Sequence, residues 1–184
     1  MNEGLISKRY ARALYYHAYE LGEETLLYHR MQILEAISGR MPDLKNNIKS
    51  PMIPVDVKIN LLKNATGKNA EQSYLDFIDL IATNHRIDSL FMISLSYQQI
   101  YRSMKHISVV HLISAKKIPY KAIERIRKYS EQKTHGKIEF SNRIDPSLVG
   151  GFIYQLNDLQ IDASVKGQLD RIGRRLSQIN RSIL

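Results

Sequence analysis

Residues 145–164 read DPSLVGGFIYQLNDLQIDAS, and this stretch decides the fold of the second half of the chain. Apolar side chains alternate over residues 152–156, which is the period of a β-strand. The Asn157-Asp158 pair suits a hairpin turn because asparagine tolerates a positive φ. Residues 159–162 return as a partner strand, so the stretch predicts a β-hairpin.

The Gly150-Gly151 pair directly precedes the first of these strands. Before a helix, two glycines could cradle a phosphate on the helix N-terminus. Because a strand follows instead, the pair is predicted to provide a bulge or a close approach between backbones. Its role is therefore structural.

The segments on either side of the hairpin complete a small unit of strands and helices. Residues 106–115 are rich in β-branched side chains and predict a strand, residues 119–135 predict a helix, and residues 137–144 alternate again. Ser164 can cap a final helix, whose predicted apolar stripe is Val165, Leu169, Ile172, Leu176 and Ile179. The order of elements over residues 106–184 is β-α-β-β-β-α.

The first half of the chain has helical periodicity throughout. Its predicted segments are a first helix ended by Gly22, a second over residues 23–38 closed by Gly39 and Pro42, a third over 55–65 stopped by Gly67, a fourth over 71–83, and a long one from Ile87. The first helix has the stripe Ile6, Tyr10, Ala13, Leu14, His17, Ala18 and Leu21. Five to six helices in residues 1–105 form a bundle, so the predicted fold class is α+β.

Composition and charge restrict the function. The chain has 184 residues, 43% of them hydrophobic, and no cysteine, which excludes disulfides and thiolate metal sites. The N-terminal segment carries charges throughout, so we expect no secretory signal. Residues 1–105 carry 13 basic and 11 acidic side chains, a net charge of +2, whereas residues 106–184 carry 14 and 7, a net charge of +7. The second unit is therefore expected to face an acidic partner.

The candidate catalytic and cofactor motifs are incomplete. The string Thr66-Gly67-Lys68-Asn69 lacks the first glycine of a P-loop. It also lacks the serine or threonine that follows the lysine in that motif, because Asn69 stands there. No two of the six histidines have the i, i+4 spacing of a helical zinc site. The pairs Asp76 with Asp79, and Asp158 with Asp162, fit an outward helix face and turn chemistry better than acid–base catalysis. The sequence predicts no enzyme, no cofactor, no metal and no small-molecule ligand.

Basic side chains recur on the two helices of the second unit. They are Lys121, Arg125, Arg127 and Lys128 on the first, and Arg171, Arg174, Arg175 and Arg181 on the last. Three interpretations stay open, namely a solvated face, a docking surface for an acidic helix, and a nucleic-acid adaptor. Nucleic acid is the least favoured, because no recognised motif places aromatic side chains between the cations.

Several stretches together resemble one family, the delta subunit of bacterial F-type ATP synthase and its mitochondrial counterpart, the oligomycin-sensitivity-conferring protein. Residues 9–18, 76–101 and 138–172 are similar to its first helix, its last two bundle helices and its signature segment. The signature residues here are Ile144, Asp145, Leu148, Gly150, Gly151 and Phe152, continued by Asp158, Asp162, Ser164 and Leu169. Tyr154 and Gln155 depart from the family pattern of an aliphatic residue and an arginine, and Asn157 replaces a glycine in the hairpin.

The resemblance implies a non-catalytic stator of the F1 sector, in which the helical domain binds N-terminal segments of alpha subunits. The second domain then holds the C-terminal ends of the b subunits at the top of the peripheral stalk, so that ion transport is coupled to ATP synthesis. It implies a peripheral location on the cytoplasmic face of the bacterial inner membrane, with membrane association only through partners.

An apolar groove between the first helix and the 71–83 helix is the expected alpha-subunit site, because helix-in-groove recognition needs such a surface. Its expected lining is Tyr10, Ala13, Leu14, His17, Phe77, Leu80 and Ile81, with Phe77 and Leu80 expected to be the more exposed. The alternative is that these side chains simply pack against one another. Arg171, Arg174 and Arg175 are the expected stalk-facing cations.

Overall fold

A computed structural model describes residues 3–65, 70–134 and 136–181. The chain divides into two compact units, Met1–Lys105 and His106–Leu184. The expectations placed on Gly67 and on the string at 66–69 lie outside the described residues, as do those on the side chains of Leu176, Ile179 and Arg181. The α+β fold class is confirmed.

The described part of the first unit contains six α-helices and a short 3₁₀ turn, Ile87–Ser89. The helices are α1 Glu3–Glu20, α2 Glu24–Arg40, α3 Pro42–Lys49, α4 Val55–Ala65, α5 Gln72–Thr83 and α6 Leu90–Met104. Gly22 has φ +70°, which fits its predicted place directly after the first helix. Helix α6 forms the centre of the bundle, because α1 and α2 both pack against it.

Two expectations about the end of α2 were wrong. The helix continues through Gly39 to Arg40, and Pro42 opens α3 instead of closing α2. Proline is well suited to the first turn of a helix, where its missing N–H would have no intrahelical partner. Pro42 therefore marks a helix start, and the sequence interpretation missed α3 entirely.

The core face of α1 is rotated from the predicted stripe. The buried side chains are Ser7, Ala11, Leu14, Tyr15 and Ala18, while Ala13, His17 and Leu21 are exposed. Ser7, Ala11 and Ala18 are small, so the α1 backbone can lie close to α6. Of the predicted stripe, Leu14 and Ala18 are buried, whereas Tyr10, Ala13 and His17 flank α5 instead.

The second unit has the predicted order β-α-β-β-β-α. Its elements are β1 Ile107–Ser114, α7 Tyr120–Thr134, β2 Lys137–Ile144, β3 Phe152–Leu156, β4 Leu159–Asp162 and α8 Val165–Arg181. The sheet order is β2-β1-β3-β4, with β1 parallel to β2 and antiparallel to β3. Val110, Leu112 and Tyr154 form the buried centre of one sheet face, and Ile126 of α7 packs against it.

The predicted hairpin is present between β3 and β4. Asn157 has φ +49°, and its backbone N–H donates to the Val109 carbonyl at 2.9 Å. The Asn157 side-chain oxygen accepts from the Val109 N–H, also at 2.9 Å. The turn is thereby tied to the central strand β1.

Helix α8 contradicts the burial expected for its apolar stripe. Val165, Leu169 and Ile172 are all exposed, with Leu169 at 59%. The stripe has the predicted spacing, but within the described residues it is left open to solvent.

Candidate functional site

A groove runs between α1 and α5 in the first unit. It encloses a cavity of about 310 Å³ lined by Tyr10, Ala13, Leu14, His17, Asp76, Phe77 and Leu80. The α1 residues recur at spacings of three and four, so they share one side of that helix. Six of the seven side chains expected to line this groove are brought together in it.

The groove has a buried floor and an exposed rim. Leu14 and Phe77 are each only 3% exposed and form the floor, whereas Leu80 is 50% exposed. The expected exposure of Phe77 was therefore wrong. Ile81 is fully buried and does not line the groove. It follows Leu80 by one residue, which turns its side chain by about 100° around the axis of α5 and into the inward stripe with Ile78.

The rim carries a polar pair that links the two helices. His17 Nε2 lies 3.4 Å from Asp76 Oδ2, and Gln72 Nε2 donates to Asp76 Oδ1 at 2.7 Å. The sequence interpretation placed Asp76 on an outward face, which is correct, but did not place it on the groove. Only the packing of α1 on α5 brings it beside His17.

A second cavity of about 480 Å³ continues from this groove. It is lined by Ile6, Arg9, Tyr10, Ala13, Leu80 and Arg86, and so shares three side chains with the first. Arg9 and Arg86 were not predicted as site residues. Arg9 had a detectable signal, since it lies three residues after Ile6 and four before Ala13 on the same side of α1.

In the second unit, Gly151 makes the close backbone approach expected of the Gly-Gly pair. It has φ +74°, and a Cβ placed on it would stand 2.2 Å from the Ala163 carbonyl oxygen. Its own carbonyl accepts from the Ala115 N–H at 3.2 Å. Phe152 follows as the first residue of β3, so no helix begins at the glycine pair.

Asp162 and Ser164 join the end of the hairpin to the start of α8. The Ser164 hydroxyl donates to Asp162 Oδ1 at 2.6 Å and accepts from the Gly167 N–H at 3.0 Å, which makes it the predicted helix cap. Bonds from the Ser164 hydroxyl and then from its backbone N–H lower the pKa of the Asp162 carboxyl. A Cβ on Gly167 would stand 2.3 Å from Asp162 Oδ2, so this glycine leaves room for the carboxylate.

Two other signature aspartates lie in turns. Asp145 Oδ1 accepts from the Ser147 N–H at 3.0 Å and caps the 3₁₀ turn Pro146–Leu148. Bonds from Ser147 lower the pKa of the Asp145 carboxyl. Asp158 is exposed in the β3–β4 turn.

A second apolar surface lies beside β3 and β4. A cavity of about 350 Å³ is lined by Arg125, Ile126, Tyr129, Phe152, Tyr154 and Ile161. The Tyr154 hydroxyl at its floor bonds Ser130 Oγ at 2.8 Å. A tyrosine is therefore accommodated where the family resemblance led us to expect an aliphatic residue.

The three basic candidates on α8 have different surroundings. Arg171 Nη2 donates to the Asp162 carbonyl at 3.1 Å, and its Nε donates to the Gly167 carbonyl. At about 100° per residue, Arg174 lies on the side of the helix opposite Val165, whereas Arg175 flanks the apolar stripe. Arg171 therefore has a structural contact, and Arg175 is the cation best placed beside the stripe.

The described residues offer little for other chemistry. They contain no group of three or more histidine, aspartate or glutamate side chains arranged to hold a metal ion. Among the same residues, no helix is both long enough and apolar enough to cross a membrane.

Comparison with known proteins relates this architecture to one family. The model of the ATP synthase delta (OSCP) subunit family matches residues 6–176. The chain belongs to this family. The ATP synthase subunit delta of Phocaeicola vulgatus is 35% identical over 182 residues, which cover 98% of each chain. That of Bacteroides thetaiotaomicron is 36% identical over 186 residues, with complete coverage of both chains.

A solved structure shares the fold. A chain of the Toxoplasma gondii mitochondrial ATP synthase hexamer matches with a TM-score of 0.73 and 18% identity, over 96% of this chain and 97% of that chain. At this identity the match shows the fold alone. The expected resemblance to the delta (OSCP) family is confirmed by the family model and the two bacterial relatives.

Membership of the delta (OSCP) family establishes the class of function. The family is a structural subunit of ATP synthase with no catalytic activity of its own, and the chain is therefore not an enzyme. Its role is that of a component of the stator.

Proposed function

We propose that this delta subunit joins the catalytic head to the peripheral stalk through two separate surfaces. The groove between α1 and α5 binds the N-terminal segment of an alpha subunit as an amphipathic helix. Residues 106–184 bind the C-terminal ends of the b subunits. The joint resists torque while the central rotor turns, so that ion flow is coupled to ATP synthesis, and the subunit stays on the cytoplasmic face of the inner membrane through these partners.

The groove between α1 and α5 is the observation that carries the first contact. An apolar floor of Leu14 and Phe77 with a half-exposed Leu80 on the rim suits the apolar face of a helix. The side chains on α1 from Tyr10 to His17 span two turns, or about 10 Å along the helix axis. A helix of two to three turns would cover this surface.

Calorimetric titration of the full chain with a peptide of the alpha-subunit N-terminal segment from the same genome tests this contact. We expect saturable one-to-one binding, weakened at least about 30-fold by Leu80→Asp because a charge would then face the apolar side of the peptide. Leu26→Asp is the matched control, since Leu26 is a similarly exposed leucine on α2 that does not line the groove. Equal binding by the two variants would contradict the assignment.

The apolar stripe of α8 supports the second contact. Val165, Leu169 and Ile172 are exposed on one side of the helix, and Lys166 and Arg175 flank them. An amphipathic stalk helix with acidic residues beside its apolar face would cover this stripe and complement the net charge of +7 of the second unit.

Binding of a peptide from the C-terminal end of a b subunit tests the second contact. We expect Leu169→Asp to weaken binding. Tyr120→Asp is the control and should not weaken it, because Tyr120 is also an exposed apolar residue but lies at the start of α7 and not on the α8 stripe. If binding instead goes to arbitrary DNA with a steep salt dependence, the stalk assignment is wrong and the nucleic-acid interpretation is correct.

A further inference from the structure

The α1–α5 groove and the cavity that continues from it form one channel with unlike ends. Tyr10, Ala13 and Leu80 line both cavities. Along α1 the channel runs from Ile6 to His17, which is three helical turns or about 16 Å. Since Arg86 follows α5 and Asp76 lies in its first half, α5 runs antiparallel to α1 along this channel.

One end of the channel is cationic. Arg9 and Arg86 both line it, with Arg9 exposed and Arg86 half-buried. Among the side chains that the structure describes, neither guanidinium has a carboxylate within ion-pair distance. Two guanidinium groups without counterions beside an apolar surface favour a carboxylate supplied by a bound partner.

The other end is marked by a carboxylate. Asp76 is about half exposed at the rim and has His17 and Gln72 as its polar neighbours. Its Oδ1 and Oδ2 atoms can accept further bonds, since each carboxylate oxygen has two lone pairs. A cation or amide donor of the partner is the chemical complement here.

We propose that the channel selects one orientation of its helix by charge, with an acidic side chain of the occupant on Arg9 and Arg86 and a basic or amide side chain near Asp76. The proposal rests on the function proposed above for the groove. Arg9 and His17 are eight residues apart on α1, or about 12 Å along the axis. The occupant therefore carries its two polar groups about two turns apart, at the edge of its apolar face.

Titration of the full chain with the alpha-subunit N-terminal peptide at low and high NaCl tests this polarity. We expect the double variant Arg9→Gln with Arg86→Gln to bind about fivefold to tenfold more weakly at low salt, because exposed or half-buried charge pairs contribute modestly. The difference should shrink in high salt. Arg12→Gln is the control: Arg12 is an exposed arginine of α1 that lines neither cavity, and its removal should change affinity less than twofold.

The orientation itself is measured with a nitroxide placed at either end of the peptide. The label nearer the acidic side chain should broaden the amide signals around Arg9 and Arg86, and the other label those around Asp76. If the wild-type chain binds the peptide but the double variant binds it as tightly as Arg12→Gln does, charge does not orient the helix. The same conclusion follows if both labels broaden the signals at both ends equally. Either result overturns this inference and leaves the proposed function standing. If the wild-type chain does not bind, the proposed function falls with it.

A free anion at Arg9 and Arg86 would give a different result. Inorganic phosphate could bind the wild-type chain and compete with the peptide there, but fail to bind the double variant. This result would assign the cationic end to a small ligand and overturn the proposal.

Discussion

Replacement of Gly151 by alanine is the sharpest test of the backbone arrangement at the start of β3. The residue has φ +74°, a conformation that costs an alanine about 1–2 kcal/mol. The added Cβ would also stand 2.2 Å from the Ala163 carbonyl oxygen, so the two segments must separate. Separation breaks the bond from the Ala163 N–H to the Phe152 carbonyl, worth about 1 kcal/mol. The free energy of unfolding of the second unit should therefore fall by about 2–3 kcal/mol.

Urea unfolding of the full chain, monitored by amide hydrogen exchange at Val110 and Leu112, reports the stability of the second unit at its central strand. Gly173→Ala is the control within the same unit, because a Cβ there meets nothing within 4 Å and the residue lies in α8. Alanine is the better helix former, so this variant should be unchanged or more stable by up to about 1 kcal/mol. If Gly151→Ala stays within about 0.5 kcal/mol of the wild-type chain, the backbone approach is not as close as described.

Two further side-chain contacts yield predictions of stability. The Glu23 carboxylate accepts from the Ser73 N–H at the start of α5 at 2.9 Å, and this bond lowers the pKa of the carboxyl. Because the folded-state pKa is depressed, the contribution to stability is present at neutral pH and is lost in acid, as the pH falls below the ordinary range of a glutamate and through the lowered pKa. Glu23→Gln should lower the free energy of unfolding of the first unit by about 1 kcal/mol at pH 7 and by less at pH 3; a pH-independent difference in urea titrations would contradict this. Tyr154→Phe should cost only about 0.5–1 kcal/mol, because Ser130 keeps its bond to the Ile126 carbonyl, and a loss above about 2 kcal/mol would show that more than one hydrogen bond depends on the hydroxyl.

The β-hairpin and the order of the second unit were predictable because their signals are local. Alternation over residues 152–156 and an asparagine at a left-handed turn position need no knowledge of distant packing. The cap at Ser164 is local in the same sense, since it bonds a backbone group three residues away.

The buried face of α1 could not be assigned from the sequence, because this helix has apolar side chains on more than one side. Ser7 and Ala11 contribute little to an apolar stripe, but together with Ala18 they are small enough to let α1 pack closely on α6. Larger residues such as Tyr10 dominate the periodicity and flank the groove instead. The groove was predicted from these larger residues, while Asp76 and Arg86 could be added only from the tertiary arrangement.

The stripe on α8 exposes another limit of periodicity. Leu169 and Ile172 are spaced as for burial, and a single chain gives no indication of whether the covering surface is its own or a partner's. Pro42 illustrates the opposite ambiguity, since the same residue can end one helix or begin the next.

The central place of β1 has a consequence for synthesis on the ribosome. Ile107–Ser114 pairs with β2 on one edge and β3 on the other, and these partners follow only at residues 137–144 and 152–156. While translation proceeds through α7, the nascent chain therefore presents a β-branched strand with both edges unpaired. Unpaired strand edges can pair with other chains. This subunit therefore depends most on chaperones, or on slow expression at low concentration, before Leu156 leaves the ribosomal exit tunnel.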